Sequence, residues 1–427
     1  MTGRRAFIGG AMASALTGCD WSRAFRSPAV GNRLPRWRPG EYQVHFIYTG
    51  RCESSFHIFP DGTSMLLDCG TANCKRKAHA LPPAPDATSE PGEQVARYVL
   101  KVNPNGDRVD YMMSSHWHVD HVGADAPDYV APGISPIGCG RSGFGQAAEF
   151  LHFGKAIDRS WPDFNDPVPI ATRETAHMRK VYEALRRRDG LTVEKFRLGA
   201  TDQIVPVHGS APTFACRNIC ANGRIALLDG TVRDVLKERI AERNAEGKKT
   251  RIDENTLSLG MVVSYGRFRF FTAGDALGRF FEEALADAVE HCHVSKTDHH
   301  AHVSMPPRLV QKLASRYWIN LVWDDQHSMP SVMRTLADRT LYPGERAIIP
   351  CFMPQCRRSA DAGETWLGDV PAAVFEPCHI VLSVAEGGES YTISCLGAME
   401  DNFVVRAQFA EKAGTGTVPF AGPSCAS

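Results

Sequence analysis

Within seven residues, Ser115-His116-Trp117-His118-Val119-Asp120-His121, the chain places three imidazoles and one carboxylate. Neutral imidazole and carboxylate together suit zinc or a similar divalent ion, so this stretch reads as a metal site. In an extended segment His116 and His118 share one face, because side chains alternate with a period of two. Asp120 and His121 can join them only if the backbone turns. The apolar run Val109-Asp110-Tyr111-Met112-Met113 just before it reads as a strand, which puts all four candidate ligands in the loop at a strand end.

The surrounding elements must hold that loop. Three short strands with tight turns are predicted over residues 42–48, 55–59 and 64–68, the second turn being Pro60-Asp61-Gly62. His45 and His57 fall inside them and read as structural histidines. Residues 71–91, with Pro82-Pro83-Ala84-Pro85, read as a surface insertion. Val95, Tyr98 and Val99 have helical spacing and lead into the strand before the cluster. Strand, helix and strand ending in ligands is an α/β arrangement, in which sites lie at strand ends.

Beyond the cluster, residues 125–172 read as loop-rich, and Asp158 to Phe164 within them either lines a substrate cleft or anchors a loop through Trp161 and Phe164. Arg173 to Asp189 is a helix with Met178, Val181, Tyr182 and Leu185 inward and Gly190 ending it. Its basic side is read as a solvated face, although a phosphate backbone would also suit it. Further strands are expected over 203–207 and 213–216, and a charged helix over 232–245. A hairpin over 257–272 turns at Gly266 and ends in Ala273-Gly274-Asp275. Helices near 280–289 and 308–314 flank a junction at 292–302, and a last hairpin turns at Gly387-Gly388.

With 427 residues, 43% hydrophobic and 22% charged, the chain can bury a large core, while zero formal charge leaves no global field to recruit nucleic acid or anionic lipid. Arg4-Arg5-Ala6-Phe7-Ile8 is a twin-arginine element, and Leu16-Thr17-Gly18-Cys19 resembles a lipobox. Residues 1–19 are therefore expected to direct export and leave the chain anchored in the periplasm through a lipidated Cys19, with 20–40 as a tether. Thirteen cysteines include none in a Cys-x-x-Cys pair; Cys216 with Cys220 and Cys351 with Cys356 are candidate local disulfides, and small buried residues are the alternative.

The cluster, with Leu67-Asp68-Cys69-Gly70 before it and Thr272-Ala273-Gly274-Asp275 after it, resembles the metallo-β-lactamase-fold hydrolases. Pro60-Asp61-Gly62, Glu254-Asn255-Thr256-Leu257-Ser258, Tyr265-Gly266-Arg267-Phe268-Arg269-Phe270 and Lys296-Thr297-Asp298-His299-His300 resemble the branch that holds the metallo-hydrolase domain of ComEC-type DNA-uptake proteins. The resemblance covers residues 41–400, leaving 401–427 as a tail. It implies an α/β chain folded as a four-layer αββα sandwich in one catalytic domain, with two divalent metals, zinc or manganese, at one edge. His116 and His118 would bind the first metal, Asp120 and His121 the second, and Asp275 would bridge them. One of His299 and His300 would complete the second site, His299 being favoured. Asp68 would orient an imidazole, and it is grouped with Asp120 as a catalytic residue. His208 is either the third imidazole of the first metal or a surface-loop histidine. Two departures stand out: Gly50-Arg51-Cys52-Glu53 replaces Gly-Gln-Gly-Asp, and His299-His300-Ala301 replaces His-His-Gly.

The chemistry so implied is water activation at a dinuclear centre for hydrolysis of a phosphodiester, with nucleic acid among the candidate substrates, or of a related ester. The rivals are a lactam, lactone or thioester hydrolase and a non-catalytic binding lipoprotein.

Overall fold

The computed structural model describes residues 29–72, 80–125, 133–400 and 402–414. The export element, Cys19 and the start of the expected tether lie outside them. Strands β1 (Tyr42–Phe46), β2 (Ser55–Ile58) and β3 (Ser64–Leu67) pair antiparallel. Helix α1 (Pro91–Val102) then crosses to β4 (Arg108–Met113), which runs parallel to β3. The one-turn helices α2 (Val119–Val122) and α3 (Phe144–Ala147) precede β5 (His152–Asp158), and α4 (Arg173–Asp189) precedes β6 (Thr192–Lys195), both strands in parallel register. α4 begins where Thr172 accepts from Thr175 N and ends at Gly190, whose φ of 72° is one that a Cβ disfavours.

The chain then builds a second sheet. It comprises β7 (Phe214–Ala221), β8 (Arg224–Ala226), β9 (Val232–Asp234), β10 (Gly260–Tyr265), β11 (Phe268–Thr272), β12 (Val294–Lys296), β13 (Tyr317–Asn320) and β14 (Ala347–Pro350). Helices α5 (Val235–Ala245), α6 (Arg279–Leu285), α7 (Pro307–Leu313) and α8 (Pro330–Ala337) lie among these strands. Finally β15 (Cys378–Val384), β16 (Ser390–Gly397) and β17 (Val405–Lys412) return to the first sheet, whose order is β17-β16-β15-β1-β2-β3-β4-β5-β6.

Alternation along the strands explains the layers. Tyr111 and Met113 of β4 join the core shared by the two sheets, where Phe46 meets Phe270 at 5.9 Å and Phe59 meets Phe214 at 4.6 Å. Met112 of the same strand faces the other way, into the cluster that holds Val95 and Val99 of α1 and Val181 and Leu185 of α4. Phe281 of α6, Leu309 of α7 and Met333 of α8 pack with the second sheet. The chain is thus mixed α/β, two large mixed sheets with helices, as expected. Among the described residues no helix is long and apolar enough to cross a membrane.

Several boundaries differ from expectation. The tail expected from 401 contains β17, whose Val405, Ala407 and Phe409 are buried, so the sheet runs on to Lys412. Residues 29–40 of the expected tether are pinned to it: Gly31 N donates to Val405 O and Leu34 N to Phe403 O, both at 2.9 Å. β5 lies inside the stretch expected to be loop, its pattern obscured by Gly154 and Lys155. Residues 203–207 form no strand, because Val205 and Val207 bond the side chains of Tyr111 and Thr63 instead of a neighbouring ladder. The helix expected from 232 starts at Val235, since Val232–Asp234 pairs with β8 and Asp234 then caps. All described cysteines are free, so neither local disulfide forms.

Candidate metal centre

The ends of β3, β4, β11 and β12 converge here. After β4 the backbone bends at Ser115 and His116 and is extended again at His118, and the turn into α2 swings Asp120 and His121 inward. Asp68 follows β3 at a φ of 60° and fixes this turn. Its Oδ1 accepts from Ser115 N at 2.7 Å, and its Oδ2 accepts from Ser115 Oγ at 2.6 Å and His121 Nδ1 at 2.9 Å. Commitment of Nδ1–H to Asp68 leaves His121 Nε2 facing Asp275. Gly70 lets the two loops touch: a Cβ there would lie 1.9 Å from the Asp120 carbonyl.

Asp275 follows β11, and its N–H donates to Ser258 Oγ at 3.2 Å. Past β12, His299 and His300 both adopt left-handed backbone, with φ of 46° and 52°. The adjacent rings consequently reach different partners. His300 Nδ1 donates to Leu321 O at 2.9 Å, and its Nε2 lies 3.0 Å from Asp120 Oδ2 and 3.3 Å from Asp275 Oδ2. His299 Nε2 lies 3.3 Å from the Asn255 amide. The histidine that joins the cluster is therefore His300, not the favoured His299.

Glu53 enters from the loop after β1, its backbone N–H donating to Asp120 O at 2.9 Å. Its Oε1 pairs with Lys296 Nζ at 2.8 Å, and both side chains are buried. Glu53, His121, Asp275 and His300 each offer one ligand atom, all within 4.8 Å of one another, the one such group among the described residues. Trp323 Nε1 donates to Asp120 Oδ2 at 2.9 Å, and His327 stacks on His300 with ring centres 4.7 Å apart.

The fit to a cation is tested by what these atoms lack. His121 Nε2, Asp275 Oδ1 and Glu53 Oε2 are buried without a hydrogen-bond partner. His121 Nε2 is 3.1 Å from Asp275 Oδ2, yet the pair is not aligned as a hydrogen bond. Orphaned buried polar atoms are costly, and these three belong to residues whose oxygen and imidazole donors gather with His300 within 4.8 Å of one another, so the residues fit a divalent cation.

The electrostatics agree. Burial alone would lower both imidazoles, but the Asp275 and Asp120 carboxylates outweigh it, holding His121 well above its usual range and raising His300 to about 10. Burial would likewise raise Asp275, yet the charges of His121 and His300 keep it well below the carboxylate range. Burial raises Glu53, opposed chiefly by Lys296. The buried carboxylates demand positive charge, which a cation supplies in place of two protons.

His116 Nε2 lies 3.1 Å from His118 Nδ1 and 3.9 Å from Asp275 Oδ2, beside the cluster. Burial and the neighbouring imidazoles hold His116 well below its usual range. His208 is elsewhere: it is half-exposed and bonds Asp110 Oδ1 at 2.9 Å, near the start of β4. It is a surface-loop histidine. The stretch 158–164 is a loop anchor, since Asp158 accepts from Trp117 Nε1 at 3.2 Å and Arg159 pairs doubly with Glu254 at 2.7 and 2.9 Å. The Arg159 guanidinium also lies 3.8 Å over the Trp117 ring, and Glu254 accepts from Trp117 N. Basic residues of α4 are engaged within the chain, Lys180 with Asp125 at 2.8 Å and Arg179 over Phe164 at 3.9 Å.

Glu53 and Trp323 were not anticipated as site residues. The first had a signal, an acidic residue standing where the resembling family carries Asp; the second had none.

No protein-family model matches the chain, and no curated protein matches it in sequence. Among solved structures, the chain is similar to one from Parabacteroides distasonis whose own assignment as a metal-dependent hydrolase is provisional. That likeness has a TM-score of 0.30 and 12% identity, over 71% of this chain and 92% of the other. At that level no residue can be transferred between the two.

Proposed function

We propose that this chain is a metal-dependent hydrolase acting on a phosphodiester or related ester, with a cation held by Glu53, His121, Asp275 and His300 beside Asp120. The observation that supports it is the gathering of four buried ligand residues, three of which carry an unpartnered polar atom. A divalent cation held there would supply Lewis acidity and lower the pKa of a bound water towards neutrality. Asp68 holds the His121 ring in one tautomer, Leu321 O does the same for His300, and the Trp323 indole and the Glu53 backbone fix Asp120. We propose a second, weaker cation at His116 and His118, which stand outside the four-residue group, with Asp275 Oδ2 3.9 Å from His116 Nε2. A carboxylate at 275, where a softer thiolate is the alternative, favours hard cations and phosphoryl oxygens.

The export and anchor reading is also kept as a proposal, on the strength of Arg4-Arg5 and Cys19. The test of function is turnover of bis-para-nitrophenyl phosphate, with nitrocefin and an acyl thioester in parallel, before and after chelation. Metal-dependent phosphodiester cleavage, lost in Asp275→Asn, is the expected result. Turnover of nitrocefin or thioester alone would move the chain to its rival class, and no metal-dependent turnover of any probe would end the hydrolase reading.

A further inference from the structure

His121 and His300 each commit a ring N–H to a fixed acceptor, the Asp68 carboxylate and the Leu321 carbonyl. His116 and His118 do not. Among the described residues His116 Nδ1 meets the Ser115 hydroxyl and His116 Nε2 meets His118 Nδ1, both at 3.1 Å, and neither ring bonds a carboxylate or a carbonyl. The separation of these two imidazoles is therefore set by the backbone between them, at Trp117. That residue is gripped at both ends. Its backbone N–H donates to Glu254 Oε1 at 3.0 Å and its indole N–H to Asp158 Oδ2 at 3.2 Å. The indole packs on the Arg159 guanidinium, 3.8 Å from the ring centre, and stacks on Phe164 at 5.0 Å.

Arg159 and Glu254 are both buried. The guanidinium forks onto the two Glu254 oxygens, and its remaining nitrogen donates to Asp166 O at 2.8 Å and Asn222 Oδ1 at 3.1 Å. A buried ion pair adds little stability that apolar side chains of similar size would not. What this pair adds is an oxygen fixed in direction, since Glu254 Oε1 accepts from both Arg159 Nε and Trp117 N. The segment that Glu254 opens touches the site three more times. The Asn255 amide lies 3.3 Å from His299 Nε2, Ser258 Oγ accepts from Asp275 N at 3.2 Å, and Leu259 N donates to Ser115 O at 2.8 Å. We propose that Arg159 and Glu254 are positioning residues for His116 and His118, a buried pair that holds Trp117 and thereby sets the spacing of the imidazoles that flank it. The proposal rests on the second cation placed at those two histidines.

The test is titration of cobalt(II) into the chelator-stripped full chain, followed by visible absorption. The wild type is expected to take up about two equivalents, the second weaker and absent in His118→Ala. Glu254→Met alone leaves Arg159 buried without its partner and should lower the melting temperature, whereas Arg159→Met together with Glu254→Met should regain most of it. In that double variant the first equivalent should bind as in the wild type and the second roughly 10- to 100-fold more weakly. Glu254→Gln keeps an acceptor for Trp117 N–H and should recover most of the second affinity. A second equivalent bound normally by the double variant would overturn the proposal, as would equal weakness of the Gln and Met variants at position 254. A wild type that binds one equivalent, or a second equivalent that survives His118→Ala, would remove the second cation itself and the proposal with it.

Discussion

The cluster is built from residues whose charges make sense only together. Glu53 and Lys296 are a buried pair at 2.8 Å, and Lys296 also donates to Gly274 O at 2.8 Å, tying the loop after β1 to the turn that carries Asp275. Removing one member of such a pair leaves an uncompensated buried charge. Lys296→Met is therefore expected to destabilise the chain by about 3 kcal/mol in urea unfolding. Glu53→Met together with Lys296→Met should restore most of that loss. If the double variant is no more stable than the single one, the pair is not the unit described. Most of the candidate cluster was legible in the sequence, since His116 to His121 announce themselves by density and Asp275 by its place after a strand. The choice between His299 and His300 was not legible: it depends on two consecutive left-handed residues, which no spacing rule reveals. His208 stayed open in the sequence because an apolar run precedes it; only the fold shows that the run bonds Tyr111 and Thr63 and carries the ring to Asp110.

At the scale of elements, the site depends on two loops lying closer than side chains normally allow. The loop after β3 runs against α2, with Cys69 N donating to His121 O and Thr71 N to Val119 O, both at 2.8 Å. Gly70→Ala would drive a Cβ into the Asp120 backbone, and the loops must part to admit it. The expected result is a loss of about 3 kcal/mol in stability and weakened metal retention even in the folded fraction. Calorimetry and metal analysis on the same sample check it; a normal metal content would show that the loop contact does not position the ligands. The crossover from β3 through α1 to β4 was readable because its hydrophobic period changes from two to about 3.6. β5 was not, since Gly154 and Lys155 break its alternation, whereas β17 does alternate, with Val405, Ala407 and Phe409 inward, and its signal was there to be read.

Across the whole molecule, the first sheet carries three histidines that burial keeps neutral. His45, His57 and His379 are each lowered to about 3, chiefly by burial, with His379 adding to the effect at His45, His45 at His57 and Lys101 at His379. They are satisfied as neutral rings, by Tyr98 and Gln43, by Tyr42 and Ser55, and by the Tyr48 backbone. Because each folded-state pKa lies below the unfolded one, the unfolded chain takes up protons first as pH falls. Stability is full above about pH 6.5 and declines towards pH 3, by up to about 1.4 kcal/mol per pH unit for each ring. Urea midpoints measured at pH 7.5 and 5.5 should fall accordingly, and His379→Gln should flatten the slope. An unchanged slope would remove His379 from this account.

The central claim is that Glu53, His121, Asp275 and His300 hold a cation and His299 does not. It is tested most directly by elemental analysis of the purified chain and two variants, after dialysis against a weak chelator. The wild type and His299→Ala should each retain about one equivalent of a divalent metal, and His300→Ala should retain well under half. Full metal in His300→Ala together with loss in His299→Ala would contradict the account.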